Sequence, residues 1–217
     1  MVSRSRPTRK DYYQVLAAGL AEGTLVVTCL GNASYLWAVL RDAPQNFYFE
    51  DAMGLALPLA LGLAVAQPER KVVVVEGDGG LLMHMGGLVT VGAVAPQNLT
   101  ILLIQNGVHA ASGGQALTNA GLDFAALGRA AGIEQTQNID AAEALRPSLV
   151  AALAGPGPSL LVLATEPDLE TVAMPIMLDP VVTKRRFEKA IGAPRYLSTF
   201  FGGGKLEQIA DDWPRRD

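Results

Sequence analysis

The residues best suited to chemistry fall between Val72 and Gln115. Four valines, Val72–Val75, lead through Glu76 into Gly77-Asp78-Gly79-Gly80, and an apolar segment that reads as a helix begins at once. Glycines there let backbone approach a ligand, and N–H groups at a helix start favour an anion. A carboxylate beside an anion repels it unless a cation lies between, so Asp78 is a candidate ligand for Mg2+. The next β-rich run, Leu99–Ile104, leads into Gln105-Asn106-Gly107. Sequential parallel strands often lie side by side, which would bring Asn106 next to Asp78. The Asn106 carboxamide and the Val108 backbone carbonyl offer two more hard oxygens; phosphate oxygens and water would complete an octahedron. Asp-Gly and Asn-Gly are each common turns on their own. On successive buried strands the pair points to a diphosphate–metal site.

The chain has two histidines. His109, just past Val108, could protonate a carbanion or hold a carboxylate; a plain loop histidine is the alternative. His84, between Met83 and Met85, reads as a satisfied core residue. No GxGxxG follows a strand, so a nicotinamide or flavin fold is poorly supported. Gly202-Gly203-Gly204-Lys205 lacks the strand, the glycine spacing and the Ser/Thr of a phosphate loop.

Elements of alternating type must position these residues. Helical patterns cover 11–22, 35–40, 55–66, 81–94, 124–131, 141–153 and 183–190, with Pro147 expected to kink or restart its helix. Strand patterns cover 25–30, 47–49, 71–76, 99–104, 134–136 and 160–164. The segment 55–66 is apolar almost all round and reads as a buried helix. A strand as apolar as Val72–Val75 is buried on both faces, the mark of a parallel sheet. Strands separated by helices imply right-handed crossovers, hence an α/β fold with a doubly wound, mostly parallel sheet and helices on both faces. One domain is expected over 1–191, with 192–217 a C-terminal extension or arm.

The 217 residues suit one large domain, and half of them are apolar. Lys and Arg number 17 against 21 Asp and Glu, and the resulting charge of −4 argues against a nucleic-acid partner. The single cysteine, Cys29, can form no internal disulfide and fits a reducing compartment. No signal peptide is legible at the N-terminus. The longest apolar stretch, 52–66, is interrupted by Gly54, Pro58 and Gly62 and falls short of the roughly 20 residues of a membrane span. A cytoplasmic protein with no membrane partner is expected.

Gly77-Asp78-Gly79 followed after 26 residues by Asn106 resembles the metal and diphosphate signature of thiamine-diphosphate enzymes. Ala52-Met53-Gly54-Leu55-Ala56-Leu57-Pro58 with Ala60-Leu61-Gly62 resembles the start of that family's diphosphate-binding domain. Gly31-Asn32-Ala33-Ser34 with Trp37-Ala38 resembles a loop touching the diphosphate. The likeness runs from about Asp11 to Ala190. It is strongest to the sulfopyruvate decarboxylase β subunit and phosphonopyruvate decarboxylase branch, through Gly80-Leu81-Leu82-Met83, Ala95-Pro96-Gln97-Asn98-Leu99-Thr100, Asn106-Gly107-Val108-His109, Ser112-Gly113, Gln115 and Met174-Pro175-Ile176 to Lys189.

The resemblance implies that Asp78, Asn106 and the Val108 carbonyl hold Mg2+. It implies that Gly77, Gly79 and Gly80 meet the diphosphate, with Asn32 and Ser34 helping unless they are merely a turn or cap. Met53 matches the apolar residue that wedges under the thiazolium, although core filling is the plain reading of a lone Met. The Asp51 carbonyl would accept from the aminopyrimidine. Three departures stand out: Asp51-Ala52 replaces a glycine pair or Gly-Ser, Tyr35-Leu36 replaces Arg-Glu, and His109 replaces Tyr. They weigh against a sulfonate or phosphonate substrate.

The family's pyrimidine-binding domain, which carries the catalytic glutamate, is not legible here. The resemblance therefore implies a separate α-type subunit, a hetero-oligomer, and thiamine-diphosphate-dependent decarboxylation of a small 2-oxo acid. Carboligation of the acetolactate synthase kind and a non-catalytic scaffold remain alternatives. A sugar-nucleotide or flavodoxin-like binder would bind without Mg2+ or a partner.

Overall fold

The computed structural model describes residues 6–167, 169, 172–173 and 179–193. In chain order the elements are α1 (Arg9–Gly19), β1 (Leu25–Thr28), α2 (Asn32–Arg41), β2 (Asn46–Tyr48), α3 (Ala56–Ala66), β3 (Val72–Gly77), α4 (Asp78–Met83) and α5 (Gly86–Val94). Next come β4 (Leu99–Gln105), β5 (Val108–His109), β6 (Gln115–Ala116), α6 (Phe124–Ala130), β7 (Gln135–Ile139), α7 (Ala142–Ala154), β8 (Ser159–Ala164) and α8 (Pro180–Ala190). The expected extension and the Met174-Pro175-Ile176 motif lie outside the described residues.

Six strands form one parallel sheet in the order β2-β1-β3-β4-β8-β7. β5 and β6 pair separately as an antiparallel hairpin. The valine run sits inside the sheet because it offers water no polar face. Alternate side chains feed opposite layers. Val73 and Val75 pack with Tyr12, Trp37 and Leu149 of α1, α2 and α7. Val72 and Val74 pack with Leu57, Val91, Phe124 and Phe187 of α3, α5, α6 and α8. Each fully buried valine is worth roughly 1.5–3 kcal/mol, so this strand anchors both layers. The α/β doubly wound fold is therefore as the sequence pattern implies.

One polar side chain just before β4 holds the turn between α3 and β3. Asn98 Nδ2 lies within hydrogen-bonding distance of the carbonyls of Ala64, Gln67 and Arg70, at 3.1, 3.0 and 2.8 Å. It thereby serves the Ala64 carbonyl near the end of α3, which has no partner inside the helix, and two carbonyls of the loop that follows.

Several boundaries differ from the sequence pattern. The helical stretch over 81–94 is two helices, broken at His84–Met85, and the first starts at Asp78. Glycines at 79, 80, 86 and 87 give it little propensity to run on. α2 starts at Asn32, and α7 runs through Pro147 without interruption. The all-apolar α3 is buried only on the Leu57–Ala60–Leu63–Ala64 side; Val65 is 59% exposed. Uniform apolarity carries no period, so it cannot say which side faces the core.

Candidate functional site

The strand order fixes where a ligand goes. From β1 the chain steps outward to β2, then returns past β1 to build β3 on the other side. Loops leaving the carboxyl ends of β1 and β3 diverge there, and such a switch point opens a crevice. A cleft of about 400 Å3 occupies it. Asn32 lines it from the first turn of α2, Asp51 and Met53 from the loop after β2, and Gly77 to Gly80 from β3 and the first turn of α4. Asn106, Val108 and His109 line it from beyond β4. Ten of the eleven residues singled out from the sequence are thereby brought to one cleft: Asn32, Asp51, Met53, Gly77, Asp78, Gly79, Gly80, Asn106, Val108 and His109.

Ser34 is the exception. It is fully buried, and its hydroxyl lies 2.8 Å from Thr28 Oγ1, 2.8 Å from the Cys29 carbonyl and 3.0 Å from the Phe49 carbonyl. It ties the ends of β1 and β2 together behind the cleft wall. Asn32 lines the cleft while its Oδ1 accepts the Val172 N–H at 3.0 Å, so part of its capacity goes to holding the chain beyond β8.

Asp78 is the centre of the polar arrangement. It is 3% exposed. Oδ1 accepts from the Gly79 N–H at 2.9 Å, and Oδ2 accepts from the Gly107 N–H at 2.7 Å. The second bond stitches the two motif turns directly together. Asn106 Oδ1 accepts from the Val108 N–H at 3.0 Å and keeps a second lone pair. Burial raises the Asp78 carboxyl above its ordinary pKa, and the N–H groups of Gly107, Gly79 and Asn106 offset this only in part. A cation would favour the ionised form.

Among the described residues no cluster of three or more His, Cys, Asp or Glu could hold a metal ion. One carboxylate, one carboxamide and one carbonyl beside a cleft wide enough for phosphate suit Mg2+, which usually keeps water and substrate phosphates in its shell. The residues present thus fit a Mg2+–diphosphate group.

The backbone around Asp78 is tightly enclosed. A Cβ at Gly79 would lie 2.9 Å from Cε1 and Nδ1 of His109. The His109 ring therefore lies over the start of α4. His84 is exposed and not the core residue its apolar neighbours imply; it caps the end of α4 through its backbone and does not line the cleft.

Sequence reasoning missed three charged cleft residues and one element. Glu76 is 1% exposed, with Oε1 accepting from the Gly77 N–H at 3.0 Å and Oε2 without a partner. Burial pushes its carboxyl up to about 7 against the opposing pull of the Gly77, Leu57 and Ala56 N–H groups and the Cys29 thiol. Its only signal was a charge at the end of a valine run. Arg9 brings a buried cation to the cleft, and Glu50 stands beside Asp51. The β5–β6 hairpin is too short for any periodicity to reveal.

A family model for the thiamine pyrophosphate enzyme, C-terminal TPP binding domain, matches residues 29–163. The chain belongs to the thiamine pyrophosphate enzyme family. It is 39% identical over 193 residues to a phosphonopyruvate decarboxylase of Streptomyces viridochromogenes, a match covering 88% of this chain and 48% of that relative. It is 30% identical over 186 residues to a sulfopyruvate decarboxylase subunit beta of Methanocaldococcus jannaschii, covering 85% of this chain and 97% of that relative. The chain thus spans about half the length of the phosphonopyruvate decarboxylases it matches. Among solved structures, the thiamine diphosphate-dependent 4-hydroxybenzoylformate decarboxylase of Rhodococcus jostii superposes with a TM-score of 0.67 at 21% identity, over 78% of this chain and 34% of that one. That likeness concerns the fold. Among the described residues no helix is long and apolar enough to cross a membrane.

Proposed function

We propose that this chain is the β-type subunit of a heteromeric, Mg2+-dependent thiamine-diphosphate 2-oxo acid decarboxylase of the sulfopyruvate and phosphonopyruvate decarboxylase kind. One observation carries the reading. In a thiamine pyrophosphate enzyme, the Asp78 carboxylate is stitched to the Asn106–Gly107 turn at the switch-point cleft. Asp78, Asn106 and the Val108 carbonyl would hold Mg2+, and the Gly77, Gly79 and Gly80 backbone would face the diphosphate. Asn32 would border the diphosphate, Met53 would bear on the thiazolium, and the Asp51 carbonyl would accept from the aminopyrimidine. When bound, the cofactor supplies the electron sink that lets a 2-oxo acid lose CO2. His109 would place a proton on the carbon that has lost the carboxylate.

A separate α-type subunit would supply the pyrimidine-binding half and its glutamate. Two matches support this: a relative named subunit beta is of similar length, and a relative named phosphonopyruvate decarboxylase, with no subunit in its name, is about twice as long. Residues 1–191 would form the cofactor domain and 192–217 an extension, in a cytoplasmic complex.

The test is to purify the full chain from native extract, assay bound thiamine diphosphate, and measure CO2 release from sulfopyruvate, phosphonopyruvate and pyruvate. The expected result is a companion chain, bound cofactor, and release from at least one of the three. A chain that comes out alone and fails to bind thiamine diphosphate with Mg2+ added overturns the reading. A coupled acyl product in place of an aldehyde moves the activity to carboligation.

A further inference from the structure

Glu76 lines the cleft, yet no role in the proposed chemistry uses it. Burying a carboxylate is unfavourable unless its partners make up for it, and an apolar residue at the end of a valine run would avoid the penalty. The surroundings of its carboxylate indicate what it does. Oε1 takes the Gly77 N–H and occupies the space a Cβ on Gly80 would fill. That same point is 3.6 Å from the Gly54 nitrogen. The N–H groups of Leu57 and Ala56, at the start of α3, and the Cys29 thiol at the end of β1 also act on the carboxylate, though none completes a bond to Oε2. Gly54 itself has φ +80, and a Cβ there would lie 2.9 Å from the Gly80 carbonyl oxygen. Two turns therefore meet backbone to backbone with Glu76 between them. One carries Met53; the other carries Asp78, Gly79 and Gly80.

We infer that Glu76 is a positioning residue: its carboxylate ties the Met53–Gly54 turn to the Gly77–Gly80 turn. It thereby fixes the offset between the apolar side chain that bears on the cofactor ring and the end that binds Mg2+ and diphosphate. The inference rests on the thiamine-diphosphate reading above. Glu76 acts on the cofactor through Met53. Loosening the tie lets the Met53 turn drift while Asp78, held separately by the Gly79 and Gly107 N–H groups, stays in place.

The experiment compares two probes, Mg2+–thiamine diphosphate and Mg2+–inorganic diphosphate, by calorimetry on the full chain isolated with its companions. Glu76→Gln is expected to weaken thiamine diphosphate about tenfold, the size of coupling usual between touching residues. It is expected to leave inorganic diphosphate unchanged and the melting temperature undiminished. In a Met53→Ala background the Glu76→Gln effect should vanish. Glu76→Asp, which keeps the charge but shortens the reach, should fall between. Amide exchange on the cofactor-free protein should quicken at Ala56 and Leu57 in Glu76→Gln, a change independent of any ligand. Equal weakening of both probes, or effects that simply multiply in the double variant, overturns the positioning role. Unchanged exchange at Ala56 and Leu57 overturns it too. If the unsubstituted protein binds inorganic diphosphate but not thiamine diphosphate, the functional reading fails instead, and exchange still decides whether Glu76 holds the turn.

Discussion

The buried Glu76 makes the stability of the metal-free protein depend on pH in an unusual direction. Its carboxyl is raised from 4.5 to about 7, chiefly by burial, and the residue is 1% exposed, so solvent screens it little. Below pH 4.5 the group is protonated in both folded and unfolded chains. Between 4.5 and 7 the folded chain keeps the proton while the unfolded chain releases it. Stability therefore falls as pH rises through that window, and levels off above it. At about 1.4 kcal/mol for each pH unit between the two values, the loss is about 3 kcal/mol. Asp78, also raised by burial, adds to the fall in the same direction. Carboxyls held low, such as Asp42 beside Arg186, oppose it. The assay is urea unfolding in chelator from pH 4.5 to 8, for the protein and for Glu76→Gln. Groups common to both cancel in the difference, which should decline by about 3 kcal/mol across the window. A flat difference refutes the reasoning, because Glu76 would then be ionised at no penalty.

Other expectations are more local. Asp78→Ala should weaken Mg2+-dependent thiamine-diphosphate binding by more than the ~10–100-fold typical of losing an outer-shell partner, read by calorimetry on the complex; unchanged affinity removes Asp78 from the metal set. Mg2+ affinity should fall as the medium is acidified, because the raised Asp78 carboxyl takes up a proton in competition with the cation; a titration insensitive to pH contradicts this. Asn98→Ala takes the side-chain donor from the carbonyls of Ala64 and Arg70, while the Gln67 carbonyl keeps the Arg70 N–H, and should destabilise by about 1–3 kcal/mol in urea unfolding. Gly92→Ala drives a methyl into the Ala131 backbone carbonyl and should cost about 1–3 kcal/mol or more, with no effect on cofactor affinity per folded molecule.

The sheet was legible because Val72–Val75 and Leu99–Ile104 are apolar on both faces, and only an interior parallel strand tolerates that. The Asp78–Asn106 pairing followed from it, since neighbouring parallel strands carry their ends to the same edge. What could not be read depended on contacts remote in sequence. Ser34 looked like a loop residue facing a ligand, but its hydroxyl is drawn to the ends of β1 and β2. Glu76 was visible as a charge, yet its importance lies in the turn at Gly54 and the start of α3. The hairpin at Val108–Ala116 has two residues a side, too few to show alternation.

The division between strand bodies and strand ends bears on how such a protein can change. The residues of Val72–Val75 are fully buried, and substitutions there act on stability in both layers. Asp51 and Met53 sit beyond the last rungs of the six-stranded sheet, and His109 sits on the separate β5–β6 hairpin, so no strand of that sheet dictates the length or content of these segments. Exchanging the hairpin or the loop after β2 would alter what the cleft accepts while leaving the valine core untouched. Selection for a new substrate, in the cell or in the laboratory, has its cheapest route through those two segments.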